Sequence, residues 1–124
     1  MKKILIVEDN SFLSEILREA LIEVGYTVEL ALNEKEAMGL IEKLKPDIVI
    51  LDMRLQFGDG MVILDLINKN YPNTKIIIYT AFEEYKDLQS KLAKENRKCT
   101  FILKPVPIEE IINEVGRLLD TSCK

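Results

Sequence analysis

The run Ile48-Val49-Ile50-Leu51, closed by Asp52, decides how this chain folds. Four consecutive aliphatic side chains leave no polar face, which suits a strand covered on both sides, as in a parallel sheet. Runs of the same kind recur on either side of it: Ile4-Leu5-Ile6-Val7, Ile76-Ile77-Ile78-Tyr79 and Phe101-Ile102-Leu103. A fifth, Val28-Glu29-Leu30-Ala31, carries a charge and reads as an edge strand.

Apolar stripes at helical spacing fill the intervals. Leu13, Ile16, Leu17, Ala20, Leu21 and Val24 mark a first helix, with Gly25 placed to end it in a left-handed cap. Ala37, Leu40, Ile41 and Leu44 mark a second, started by Asn33 and Glu36 at capping-box spacing. Ile63, Leu66 and Ile67 mark a third. Ile108, Ile111, Ile112, Val115, Leu118 and Leu119 mark a fifth. The fourth, within 84–94, has only Tyr85, Leu88 and Leu92, so it has the least apolar area to bury and should be the most easily displaced. Five βα units in series predict an open parallel α/β sheet with helices on both faces. No Pro/Gly/Ser linker or internal repeat interrupts them, so residues 1–124 read as one domain.

Composition narrows the function classes. A net charge of −4, with Lys and Arg spread rather than gathered in a stripe, argues against nucleic-acid or anionic-membrane binding. No apolar run spans a bilayer, and the four apolar residues after Met1-Lys2-Lys3 stop at Glu8, which is too short for a signal peptide. The two cysteines, Cys99 and Cys123, read as reduced thiols of a cytoplasmic protein. The absence of histidine removes His-based catalysis and His metal ligands.

Polar residues capable of chemistry follow four of the strands: Glu8 and Asp9, Asp52, Thr80, and Lys104. In an open α/β sheet the carboxyl ends of the strands share one edge, where ligands bind at the topological switch point. Any one of these residues alone is explained as a helix cap, a turn or a solvated loop. Three carboxylates, a hydroxyl and an ammonium converging on one edge are not. Carboxylates at close range repel by several kcal/mol at an effective dielectric of about 20, so a cation must join them or some must protonate. Oxygen-only ligands suit Mg²⁺ or Mn²⁺. With the cation, Lys104 and the Thr80 hydroxyl as stabilising partners, one carboxylate can attack phosphorus, and Asp52, after the central strand, becomes the covalent acceptor.

Glu8-Asp9, Asp52, Asp59-Gly60, Thr80-Ala81 and Lys104-Pro105 resemble, in order and spacing, the signature of response-regulator receiver domains, across essentially the whole chain. The resemblance implies a flavodoxin-like doubly wound (βα)5 three-layer sandwich with strand order 2-1-3-4-5. It implies Asp52 as phosphoacceptor, and a metal site made by Asp9, Asp52 and the Arg54 backbone carbonyl, with Glu8 acting through water. Thr80 and Lys104 would hold the phosphoryl oxygens, with Thr80 and Phe101 as switch residues. Arg54 and Phe82 would flank the water that hydrolyses the acyl phosphate, and neither can accept its proton, which predicts a long-lived phosphoryl group. Lys104-Pro105 is expected to be cis, so that the turn aims Lys104 across the strand ends.

Two departures from the pattern stand out. Gln56 occupies a position where many receivers carry proline, and Lys94 to Cys99 lacks the usual Gly-Ala before the fifth strand. A flavodoxin-like cofactor module would need a phosphate cradle after strand one, where Glu8-Asp9 repels phosphate. An aspartyl-phosphate phosphatase would need a second acid where Arg54 stands. The receiver reading makes the chain a signalling module, not an enzyme. Its partners would be a sensor histidine kinase or phosphotransfer protein and a downstream protein or output domain, with room for a phosphorylation-dependent homodimer. Donors would use the first helix and nearby loops. Output would use the fourth helix, fifth strand and fifth helix. Whether the receiver stands alone or was cut from a longer regulator is open at this point.

Overall fold

The protein's structure, a computed structural model, describes residues 2–53, 60–81 and 100–120. Five strands, β1 (Lys3–Val7), β2 (Thr27–Ala31), β3 (Ile48–Leu51), β4 (Lys75–Ala81) and β5 (Thr100–Lys104), form one sheet in the order β2-β1-β3-β4-β5. Every pairing is parallel, and β2 is an edge strand, as its charge predicts. The helices are α1 (Ser11–Val24), α2 (Glu34–Leu44), α3 (Gly60–Asn70) and α4 (Ile108–Asp120), the last being the fifth helical pattern of the sequence. The expected helix within 84–94 and both cysteines lie outside the described residues. Among the described residues no helix is long and apolar enough to cross a membrane.

Alternation along the strands builds two cores from one sheet. Leu5, Val7, Val49, Leu51, Ile76 and Ile78 face α2 and α3, meeting Ala37, Ile41, Ile63, Leu64 and Ile67. Ile4, Ile6, Ile48, Ile50, Ile77 and Tyr79 face α1 and α4, meeting Leu17, Leu21, Ile111, Val115 and Leu119. Each fully buried Ile or Leu contributes about 1.5–3 kcal/mol relative to exposure, which is why the polarity-free run of β3 sits at the centre of the sheet.

Local chemistry sets the helix ends. Asn10 Oδ1 accepts from the Leu13 N–H, and Gly25 closes α1 at φ 116°, a left-handed conformation that favours glycine. Asn33 Oδ1 accepts from the Glu36 N–H at 2.9 Å, but Glu36 Oε1 reaches past the cap residue to the Leu32 N–H at 2.8 Å. The expected capping box is therefore shifted by one residue on its return bond. Thr80 and Lys104, expected just after their strands, are inside them. β4 and β5 stay paired through Thr80↔Leu103 and Ala81↔Lys104, so the ladder runs on to the polar residues. The Lys104–Pro105 peptide bond is cis.

Gly60 fixes how α3 approaches the site. A Cβ there would lie 2.7 Å from the Met53 Cα and 3.0 Å from the Met53 carbonyl oxygen, both backbone atoms that cannot rotate aside. Since Met53 directly follows Asp52, any shift is transmitted to the acidic residue. Gly60→Ala is expected to cost about 1–3 kcal/mol, the range for overpacking a tight interior, read as a lower urea midpoint. An unchanged midpoint would show that the helix can slide away freely.

Candidate functional site

β1 leads to β2 on one side and β3 lies on its other side, so the topological switch of the sheet falls between β1 and β3. Their register pairs Val7 with Leu51, so Glu8 and Asp52 leave neighbouring strands at the same level. The Asp52 N–H donates to the Val7 carbonyl at 2.9 Å and the Glu8 N–H to the Ala31 carbonyl at 3.0 Å, which holds both acids against the strand ends. Counting by twos from Ile6, Ile50, Ile77 and Ile102 puts Glu8, Asp52, Tyr79 and Lys104 on the face shared with α1 and α4.

The acids gather there as the sequence suggests. Glu8, Asp9 and Asp52 each present a carboxylate oxygen within 4.8 Å of the others, with Glu8 and Asp52 buried and Asp9 partly so. Lys104 Nζ bridges two of them, donating to Glu8 Oε1 at 3.0 Å and to Asp52 Oδ2 at 3.1 Å. Burial pushes the Glu8 carboxyl up, the Asp52 carboxylate beside it adds to the rise, and Lys104 offsets only part, leaving its pKa at about 7. Burial acts on Lys104 in the opposite sense, but its two carboxylate partners outweigh it and hold the ammonium above the ordinary lysine value.

Thr80 lies at the same edge, buried, with its hydroxyl lacking a hydrogen-bond partner among the described residues. Alternation sets it on the other face of β4, with Ile78. Phe101 pairs in register with Ile78 and packs, partly buried, against the α2/α3 core. Arg54 and Phe82 lie outside the described residues. Tyr79 was legible only as a strand residue, yet its ring lies under the Lys104 ammonium, 4.9 Å from Nζ to the centroid. The one hint was an aromatic with a polar tip ending a run of isoleucines.

The donor set fits a hard divalent cation. Glu8 Oε2 is buried and has no hydrogen-bond partner among the described residues, a costly state for a carboxylate oxygen that a cation or its bound water would relieve. The ligand atoms are all oxygens, and among the described residues Lys104 brings one positive charge to two of the three carboxyl groups. The buried Thr80 hydroxyl likewise has a donor to spare for an oxyanion arriving at this edge.

Known proteins place this geometry. The family model for the response regulator receiver domain matches residues 4–116. Sporulation initiation phosphotransferase F of Bacillus subtilis is 35% identical over 95% of this chain and 94% of its own length. Chemotaxis protein CheY of Thermotoga maritima is 30% identical over 94% of this chain and 97% of its own. Other relatives are longer. Transcriptional regulatory protein PcoR of Escherichia coli matches 96% of this chain over only 52% of its own length. Among solved structures, a CheY-like receiver domain protein from Methanospirillum hungatei superposes with a TM-score of 0.87 at 25% identity, covering 98% of this chain and 95% of that one. Response regulator TrrA of Thermotoga maritima, solved in complex with Mg²⁺ and BeF, gives 0.81 at 31% identity, covering 95% and 99%. A parallel 2-1-3-4-5 sheet, an acid cluster at its switch point and a family match over residues 4–116 make one conclusion: the chain belongs to the response regulator receiver domain family.

Proposed function

We propose that this chain accepts a phosphoryl group on Asp52, in a reaction that needs Mg²⁺ or Mn²⁺, from a sensor histidine kinase or phosphotransfer protein. The observation that carries the reading is the Lys104 ammonium, held at hydrogen-bond distance from Asp52 in a cluster of three carboxylates. Asp9 and Asp52, with the Arg54 carbonyl, would hold the cation directly, and Glu8 would act through water. When bound, the cation neutralises charge on the carboxylates and on the incoming phosphoryl oxygens. An Asp52 carboxylate oxygen forms the new bond to phosphorus as the donor's bond breaks, and the donor leaves with its electron pair. Lys104 and the Thr80 hydroxyl, which has no hydrogen-bond partner among the described residues, meet the phosphoryl oxygens that gain charge.

The reading extends to a switch. Drawing the Thr80 hydroxyl toward the phosphoryl group would vacate space for Phe101, three residues before Lys104, and reposition the helix expected within 84–94. Such a signal would pass to a downstream protein or output domain. The test of the acceptor chemistry is the intact mass of wild-type protein after incubation with acetyl phosphate. One phosphoryl group is expected with Mg²⁺ and none with EDTA. Equal uptake in EDTA would overturn the metal-dependent reading.

A further inference from the structure

Tyr79 has no part in the chemistry assigned above, yet it touches the group on which that chemistry depends. Lys104 Nζ sits 4.9 Å from its ring centroid, inside the range of about 6 Å in which an ammonium over an aromatic face is attracted by the ring quadrupole. The sheet builds this contact. Register pairs Tyr79 with Ile102, so Lys104, two residues on, is its diagonal neighbour on the same face. The ring cannot swing away, because it is 7% exposed and packed into the α1/α4 core. It also borders a cleft that it shares with Glu8, Asp52, Leu13 and Ser14.

We propose that Tyr79 is a positioning residue, whose ring face holds the Lys104 ammonium over the acceptor carboxylate; this rests on the phosphoryl-acceptor reading of Asp52. Among the described residues Lys104 has three such partners, and the other two are the Glu8 and Asp52 carboxylates. Those two are the groups that cation binding and phosphorylation engage. Once Asp52 carries a phosphoryl group, its carboxylate charge is gone and Lys104 must turn to the phosphoryl oxygens instead. The ring keeps its attraction throughout, because its quadrupole does not depend on what the two carboxylates bind. A flexible lysine stem anchored only by carboxylates would lose its aim when they are engaged. Anchored on the ring, it keeps its aim.

The contact and its role are tested separately. In metal-free, unphosphorylated protein, the NMR signals of the Lys104 ε-methylene protons should be shifted upfield by the ring current in wild type and in Tyr79→Phe, and return to ordinary lysine positions in Tyr79→Leu. Beryllofluoride binding in the presence of Mg²⁺ should be about three- to tenfold weaker in Tyr79→Leu, the usual worth of a partly shielded cation–π contact. Tyr79→Phe should recover most of that loss, which a role for the phenol oxygen would not allow. If Tyr79→Leu does not unfold cooperatively, Tyr79→Met takes its place, and the wild-type shift stands without any variant. Unshifted Lys104 signals in wild type would overturn the proposal. So would full beryllofluoride affinity in a folded Tyr79→Leu protein. An upfield-shifted Lys104 in a wild type that binds no beryllofluoride would instead sink the acceptor reading, and the positioning role with it.

Discussion

Lys104→Met is expected to slow phosphoryl uptake from acetyl phosphate by about 10²–10³-fold, the usual loss when one preorganised donor to a developing oxyanion is removed. Methionine fills much of the space of the lysine stem but offers neither charge nor donor. The Asp52 carboxylate and Glu8 then face each other without the ammonium that now bridges them at 3.1 and 3.0 Å. Removing one member of a buried ion pair costs about 3–5 kcal/mol, because the remaining charge is stranded. The Lys104 side chain is 25% exposed, so water screens part of that and about 1–3 kcal/mol is expected at pH 8. At pH 5 the loss should be smaller, since Glu8 is then neutral. Lysine itself is charged in both folded and unfolded chains between these pH values, so the difference reports on Glu8. Uptake at the wild-type rate by a folded Lys104→Met protein would remove Lys104 from the chemistry.

The second large effect concerns pH and metal together. Folded Glu8 keeps its proton to about pH 7, whereas in the unfolded chain it ionises near 4.5. Between those values the folded state binds more protons, so its stability is present in full below pH 4.5 and is lost as pH rises through 7. The span corresponds to about 3 kcal/mol as an upper bound. Urea unfolding in EDTA should therefore show stability falling from pH 5 to pH 8 in wild type. Glu8→Gln, which has no proton to lose, should show a flatter profile. Millimolar Mg²⁺ should reverse the trend, stabilising the protein strongly at pH 8 and little at pH 5, because cation and proton compete for the same carboxylates. Parallel pH profiles for wild type and Glu8→Gln would show that the carboxyl is not held neutral by the fold.

The fold was legible where a signal was local. Ile48 to Leu51 has no polar position, so it needs two covered faces wherever its partners lie. Glu29 in β2 similarly announces an edge. The strand order came through the resemblance of the acidic and lysine positions to receivers, since periodicity says which segments are strands and not which strands adjoin. Ends of strands were misjudged where pairing decides them: Thr80 and Lys104 are strand residues because Leu103 and Ala81 lie opposite. Helical stripes were read too wide, for Ile16 and Val24 of α1 are 36% and 52% exposed. Only the part of the stripe that meets β-sheet side chains is buried. Within the site, the convergence of Glu8, Asp9, Asp52 and Lys104 follows from strand ends sharing an edge. The Tyr79–Lys104 contact and the raised pKa of Glu8 do not, because they depend on register and on burial that no single segment encodes.

Whether Asp52 is the acceptor is read most directly from the intact mass of Asp52→Asn beside wild type after acetyl phosphate and Mg²⁺, with the labelled residue located by borohydride trapping and peptide mapping. Asparagine keeps the shape of the side chain at the end of β3 and removes the nucleophilic oxygen anion. Wild type should gain one phosphoryl group, trapped at residue 52, and Asp52→Asn should gain none. An Asp52→Asn protein that takes up the group as readily as wild type, or a trapped residue elsewhere in the wild-type chain, would contradict the assignment.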